Sequence, residues 1–529
     1  MSAASAQVTP SSPHGQKRLS LGQNATVNLG GKAIGMALSL FVSAFVVHRL
    51  GLRTFGFWAV ISAVSQYAQL LDFGVGPSLT RFIAHHDERA EHEELQHRAA
   101  SGLWGSVVFA TALTAIATLV VLALPSSVTR TWPAGWQLGV IFVAASLGLA
   151  SVGSVFQAFP NGLGRWDLSN LALLFGQIGY SVFTVAALTQ SRSLAGLGAA
   201  GVGGALITCL IAYSSSRRLW PHRLSPAAVR KEDLKELWRY GSTVQMVNLV
   251  VVVNAQADKP VLLAFAPLSF VGLYELGARV AYTLRALPIT AFGPLIAASA
   301  RESASGDRRR LRTFYLRSYR SVIALGVAPL IALYGASYAL IIAWLGPGFR
   351  TSGIVALVLG FGYAINIATG AGTAVAMGAG RPDIDRNYSL LGFGLNMLLT
   401  IVLGVLVGRW GVIVATAIGL AVSSVWLLRI VDRWLATSVL TSRKIAGTRG
   451  TRVLLVWATI TGAASASLAI WLDLSSRLAA LGLGIATMLV FGALWLVGVT
   501  GMRILDLRSL LPWRAATASG QSARPASPS

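Results

Sequence analysis

The chain has 529 residues, of which 54% are hydrophobic and only 12% charged, with a mean hydropathy of +0.64 and a formal net charge of +24. Soluble globular domains carry about 25% charged residues, so this composition excludes an ordinary soluble fold and points to a chain solvated mostly by lipid. The positive charge then belongs in short loops that fix orientation and meet anionic headgroups, and nucleic acid is excluded as a partner.

Apolar stretches bounded by charge, Pro or Gly predict an all-α polytopic membrane protein of about fourteen transmembrane helices. Residues 1–22 are polar, lack an apolar core and read as a disordered cytoplasmic segment, which leaves insertion to the first apolar helix. Six helices follow at 24–47, 57–80, 99–124, 136–159, 168–189 and 195–215, and six more at 242–266, 271–299, 318–345, 353–377, 388–407 and 411–430. A last pair is expected at 453–472 and 478–501. The predicted units are an N-lobe over 23–235, a C-lobe over 236–450, the pair within 451–502, and a cytoplasmic tail over 503–529 rich in Ala, Ser and Pro. Asp72 in the second helix, and Glu275, Arg279 and Arg285 in the eighth, would lower the count to twelve if those segments do not span.

Under the fourteen-helix reading, 32 of the 43 Lys and Arg residues fall in the N-terminus, the even-numbered connections and the C-terminus, and 7 in the odd-numbered connections. The positive-inside rule then predicts a multi-pass protein of the cytoplasmic (inner) membrane with both termini cytoplasmic. The longest connections are too short to house a catalytic domain. The single Cys209 lies in an apolar run, which rules out an intrachain disulfide framework or a cysteine-based metal site.

Gly162-Leu163-Gly164-Arg165-Trp166-Asp167 after the fourth helix and Gly378-Ala379-Gly380-Arg381-Pro382-Asp383 after the tenth share the pattern G-x-G-R-x-D, displaced by 216 residues. The same shift carries Asn24 onto Tyr240, Arg217 onto Arg433, and Pro77 to within one residue of Pro294. These registered features predict an internal duplication into two pseudosymmetric six-helix lobes, with the motif itself as a Gly-capped turn.

An ionisable group inside a spanning helix costs roughly 2.5–3.5 kcal/mol, so it should face protein or a water-filled cavity. Asn24, Asn28, Lys32, Gly35, Ser39 and Ser43 share about 100° of arc on the first helix. Ser62, Ser65, Gln66, Gln69, Asp72, Gly76 and Thr80 share about 120° on the second. The seventh groups Gln245, Asn248, Gln256 and Lys259, with Asn254 and Asp258 beside them. The eighth groups Glu275, Arg279, Tyr282 and Arg285. Two stripes from each half predict a shared polar cavity between the lobes. Lys32, Lys259, Arg279 and Arg285 stand there against Asp72, Asp258 and Glu275, with Arg81 at the mouth. Unpaired, these cations would attract phosphate or diphosphate; paired, as with Glu275 and Arg279 at i,i+4, they would stitch helices together.

Other clusters carry less. His85, His86, His92 and His97 lie among acidic residues, but the spacing fails the H-E-x-x-H zinc geometry and reads as a solvated loop. The glycines from Gly196 to Gly204 lack the strand and Lys-Ser/Thr of a phosphate loop and suit close helix packing. No metal site and no cofactor are expected.

Two stretches resemble a known family. Gly51-Leu52-Arg53-Thr54-Phe55-Gly56-Phe57-Trp58, with Leu70-Leu71-Asp72-Phe73-Gly74-Val75-Gly76 and Thr80-Arg81-Phe82, is similar to the first and second helix region of polysaccharide-transport flippases. Asp258-Lys259-Pro260-Val261-Leu262-Leu263 and Val271-Gly272-Leu273-Tyr274 resemble their seventh and eighth helix signature. This is the oligosaccharide flippase branch of the multidrug, oligosaccharidyl-lipid and polysaccharide exporter superfamily. The resemblance implies two six-helix lobes, an appended pair, and alternating access of a cationic cavity to a polyprenyl-diphosphate-linked oligosaccharide. Asp72, Arg81, Asp258 and Tyr274 fall directly on the family pattern. The expected site adds Lys32, Lys259, Arg279 and Arg285 for the diphosphate, and Gln66, Gln69, Asn248 and Gln256 for sugar hydroxyls. Asp72, Asp258 or Glu275 would couple the cycle to H+ or Na+.

Expected partners are membrane lipids, glycosyltransferases and a glycan polymerase. Alternatives are a lipid II-type flippase, whose first helix usually bears arginine where Lys32 stands here, and a drug or cation antiporter. A membrane-embedded glycan polymerase is disfavoured, because Asp473 is the only acidic residue in an odd-numbered connection.

Overall fold

The computed structural model describes residues 21–501 except 73, 90–91, 438–448, 473 and 475. The N-terminal segment before residue 21, the tail beyond 501 and Asp473 lie outside the described residues. Among the described residues the regular structure is helical throughout.

Twelve helices among the described residues are long and apolar enough to cross a membrane, where fourteen were expected. Both differences have a local cause. The first two expected spans run together in a 53-residue tract, Ala33–His85. At 1.5 Å per residue a straight helix of that length would measure about 80 Å, more than twice the roughly 30 Å hydrocarbon core. Gly51, at φ 78° and ψ 161°, interrupts the Leu21–Gln69 helix, and residues on either side of it line one cavity, so the chain folds back there. Only glycine adopts that φ without cost. The seventh expected span is the Lys231–Gln256 helix followed, after a break at Ala257, by Asp258–Phe265. Its charged start and its Asn, Gln and Asp content keep it below the apolarity of a spanning helix.

Two connections expected as loops are helical. Val75–Arg89 and His92–Ala123 carry His85, His92 and His97, which corrects the reading of that stretch as a loop. Arg308–Val322 runs through a π turn at Ile323–Val327 into Ala328–Leu345.

The G-x-G-R-x-D motif forms the same cap twice. Gly164 and Gly380 take left-handed φ values of 75° and 71°. Arg165 N donates to Pro160 O at 2.7 Å and Arg381 N to Ala376 O at 2.8 Å, while each left-handed glycine donates to the carbonyl three residues back, at 3.1 Å in both copies. This is the Schellman arrangement, with glycine at C′. Each arginine then forks onto its aspartate, at 3.0 Å for Arg165–Asp167 and 2.9 Å for Arg381–Asp383. The leading glycines mark close crossings. A Cβ at Gly162 would stand 2.6 Å from Ile83 Cγ2 and 3.0 Å from Thr80 O, and one at Gly378 would stand 1.8 Å from Ser299 Oγ and 2.7 Å from Ile296 O. Ser299 and Ile296 are Ile83 and Thr80 displaced by 216 residues, so the duplicated sequence makes duplicated contacts.

Gly378→Val should accordingly lower the thermal unfolding midpoint of the purified protein clearly. Gly348→Ala, at a position where a Cβ meets nothing within 4 Å, should leave it unchanged.

The last two helices, Arg449–Trp471 and Arg477–Gly501, pack on the 328–345 helix. Gly335 and Gly462 touch nearly backbone to backbone. Trp495 Nε1 donates to Ala324 O in the π turn at 2.8 Å, and Arg477 donates to Leu345 O at 2.9 Å.

Candidate functional site

Because the chain folds back at Gly51, both limbs of the first tract border one cavity of about 280 Å³. Its polar lining is Ser39 and Ser43 from the first limb, Ser62 and Ser65 from the second, and Ser146, Gln177 and Tyr180 from later helices. Ser43, Ser65 and Ser146 each donate to a carbonyl of their own helix at 2.6–2.8 Å, which satisfies the donor and leaves acceptor lone pairs toward the cavity. The cation there is Arg279, which reaches in from the Leu268–Phe292 helix and donates through Nη1 to Ser39 Oγ at 3.1 Å and Ser43 Oγ at 2.9 Å.

Behind Arg279 stands a three-member charge cluster. Glu275 is buried and accepts from Arg279 Nη2 at 2.6 Å and from Lys259 Nζ at 2.7 Å. Lys259 also donates to Gln256 Oε1 at 2.7 Å. Two cations on one carboxylate leave a net +1. The Arg279 side chain is 32% exposed against 10% for Lys259, so the surplus charge is presented to the cavity by Arg279. The desolvation of Glu275 is offset only while both partners stay in place.

A second polar group lies against an adjoining face of the same helix. The break at Ala257 puts Asp258 at the start of the Asp258–Phe265 helix, buried, where it accepts from Tyr274 Oη at 2.6 Å and Thr416 Oγ1 at 2.9 Å. Arg285 donates through Nε and Nη2 to Asn366 Oδ1 at 3.1 and 2.8 Å, with its guanidinium 4.9 Å from the Tyr363 ring centroid. Asn366 in turn donates to the Tyr388 hydroxyl.

Asp72 sits at the other end of the second limb. It accepts from Gly74 N at 2.9 Å and Gln245 Nε2 at 2.6 Å, and Asn248 donates to Gln245 at 2.9 Å. Ser78 Oγ donates to Leu237 O at 3.1 Å, and Arg81 lies 4.5 Å over the Tyr240 ring. Arg98 pairs with Glu236 at 3.0 Å and with Asp233 at 3.7 Å. The two halves of the sequence thus touch near Asp72 and again near Gly51, where Gly56 meets Leu268 and Gly272.

Of the residues singled out in sequence, the structure brings Lys259, Glu275, Arg279 and Gln256 into one cluster, and Asp258 with Tyr274 into another. It sets Arg285 against Asn366 and Asn248 at the exposed Asp72 end. Gln66 is half-buried and Gln69 exposed beside the cavity-lining Ser62 and Ser65. Lys32 belongs to the first helix, with its side chain outside the described residues. The partners that sequence reasoning missed are Gln177 and Tyr180 of the 166–190 helix, Asn366 and Thr416. None of them is ionised at neutral pH, so a search for intramembrane charge passes over them, and the fold reveals their neighbours.

Asp233, at the polar start of its helix, is pushed up by burial, against which Arg98 and Arg230 act.

Solved structures similar to this fold include the lipid II flippase MurJ in an inward closed conformation, at 13% identity and TM-score 0.66 over 89% of this chain and 98% of that one. An inward-facing multidrug resistance MATE family transporter of the MOP superfamily matches at 17% identity and TM-score 0.58, over 78% of this chain and 98% of that one. A mutant of the Vibrio cholerae MATE transporter VcmN matches at 14% and 0.54, over 79% and 96%. At these identities the likeness is one of fold, and these neighbours are flippases and transporters, not enzymes. None of the curated proteins compared matches the sequence. The family described as polysaccharide biosynthesis protein matches residues 21–298, more than half of the sequence, and the chain belongs to that family.

Proposed function

We propose that the protein is a flippase that carries a polyprenyl-diphosphate-linked oligosaccharide from the inner to the outer leaflet of the cytoplasmic membrane, in the assembly of a cell-surface polysaccharide. The observation that carries this reading is Arg279, a cation of the 268–292 helix that enters a serine-lined cavity bordered by the opposite half of the chain. A guanidinium backed by a neutralised Glu275–Lys259 pair offers one positive charge to an anionic headgroup. Serine lone pairs and Gln177 suit sugar hydroxyls, and the lipid tail stays in the bilayer.

In this reading Lys32 supplies a second cation, Lys259 positions Glu275, and Asp258 with Tyr274 and Thr416 links the cycle to H+ or Na+. The two lobes rock about the cavity, parting in turn at the Gly51 end and the Asp72 end. Glycosyltransferases and a glycan polymerase would supply and consume the substrate, and the basic loops support cytoplasmic termini.

The test is reconstitution into liposomes with a fluorescent polyprenyl-diphosphate oligosaccharide, read by protection from a membrane-impermeant quencher. Movement of the glycolipid, with no transport of a cationic dye in the same vesicles, is the expected result. Dye transport without glycolipid movement would replace this reading with drug export.

A further inference from the structure

We infer that Tyr282 is the platform on which the sugar nearest the diphosphate stacks, an inference that rests on the flippase reading. Glu275, Arg279 and Tyr282 share a face of the 268–292 helix within about 60° of arc. Along that face burial falls steadily: Glu275 is 6% exposed, Arg279 is half-buried, and Tyr282 is 51% exposed. The space in front of the helix therefore widens from Glu275 toward Tyr282.

The facing element is open at the same level. The first helix runs antiparallel to the 268–292 helix here, with Ser39 and Ser43 opposite Arg279 and Val46 packed in one cluster with Leu276. One turn before Ser39 stands Gly35, where a Cβ would meet nothing within 4 Å. The backbone at Gly35 is thus uncovered one turn beyond the serines that Arg279 reaches.

Lipid does not account for the ring. Membrane tyrosines collect at the two interfaces, where the hydroxyl reaches water. Tyr282 is instead near the middle of the 25-residue Leu268–Phe292 helix; the Arg285 guanidinium lies 5.9 Å from its ring centroid, on one face, and among the described residues its hydroxyl has no hydrogen-bond partner. A mid-membrane tyrosine facing hydrocarbon would leave that hydroxyl unsatisfied. Facing a wet crevice, it offers an apolar ring with a polar tip, which suits a pyranose with one C–H face and peripheral hydroxyls. Arg279 and Tyr282 are separated by about 4.5 Å of helix rise, comparable with the reach from a phosphate to the sugar it carries. Phosphate and sugar would then be read by successive turns of one helix.

The experiment compares wild type, Tyr282→Leu and Tyr282→Phe in nanodiscs, with two probes of one chain length: a bare polyprenyl diphosphate and the same lipid bearing an oligosaccharide. Tyr282→Leu should weaken binding of the glycolipid by about three- to tenfold and leave the bare diphosphate unchanged, while Tyr282→Phe keeps most of the glycolipid affinity. Equal losses for both probes, or no loss for either, would overturn the inference and leave the flippase reading standing. Wild-type protein that binds neither probe would overturn the flippase reading and this inference with it. Unchanged thermal midpoints of the two variants exclude misfolding as the cause.

Discussion

Arg279→Gln is expected to reduce glycolipid flipping by about 100-fold, the loss of close to 3 kcal/mol that removal of one partner of a buried charge pair produces. Two effects act together. The cavity loses its cationic donor to Ser39 and Ser43, and Glu275 is left with Lys259 alone, so the cluster falls from a net +1 to zero. Charge and placement are separable with a second variant. Glu275→Gln combined with Arg279→Gln leaves Lys259 as the only charge and restores +1. If net charge alone governs headgroup binding, the double variant recovers. Lys259 is buried and held by Gln256, so recovery is not expected. Arg279→Lys should retain part of the activity, because a lysine keeps the charge but cannot fork between Glu275 and two serines. The measurement is initial flipping rate in liposomes at equal protein incorporation. Wild-type rates for Arg279→Gln would remove the arginine from the substrate site.

The architecture was legible because lipid imposes a simple code. Long apolar runs and a motif repeated at 216 residues each report a constraint local to the chain. The G-x-G-R-x-D match read best of all: a left-handed glycine and an arginine two residues before aspartate specify one backbone shape wherever they occur. The fold-back at Gly51 reads from the sequence as well: His48, Arg49, Arg53 and Thr54 flank it between the expected 24–47 and 57–80 spans. The apolar reading of 242–266 as a span missed how far its Asn, Gln and Asp residues lower its apolarity.

The candidate site divides in the same way. Helical periodicity puts Glu275 and Arg279 on one face and marks them as a pair. It cannot say that Lys259 joins them from another helix, nor that Arg285, a turn and a half beyond Arg279, is drawn aside by Asn366. Those partners come from residues more than 80 positions away or across a helix break, where no spacing rule operates.

Gly56→Val is expected to stop turnover while leaving the protein folded. A Cβ at position 56 would lie 1.8 Å from Leu268 O and 2.9 Å from Gly272 N, and one at Gly272 would lie 2.6 Å from Leu52 O. These are backbone atoms, which cannot rotate away as a side chain would. The contact seals the Gly51 end between the two halves of the sequence, so a valine there is accommodated by the halves separating at that end. At the opposite end Gly74, at φ 65°, approaches Gly241 O to 2.9 Å in the same measure, and Asp72 holds Gln245. An alternating cycle requires each end to close in turn. A protein unable to close one of them should bind substrate from that side and fail to release it on the other. Spin labels at positions 53 and 269, flanking the seal, should report a longer distance in Gly56→Val than in wild type, with flipping reduced by at least about tenfold, whereas Gly492→Val, where a Cβ meets nothing within 4 Å, changes neither. Unaltered distance and rate in Gly56→Val would mean that the halves do not move against each other along this seam, and the rocking cycle would have to be replaced by motion within one half.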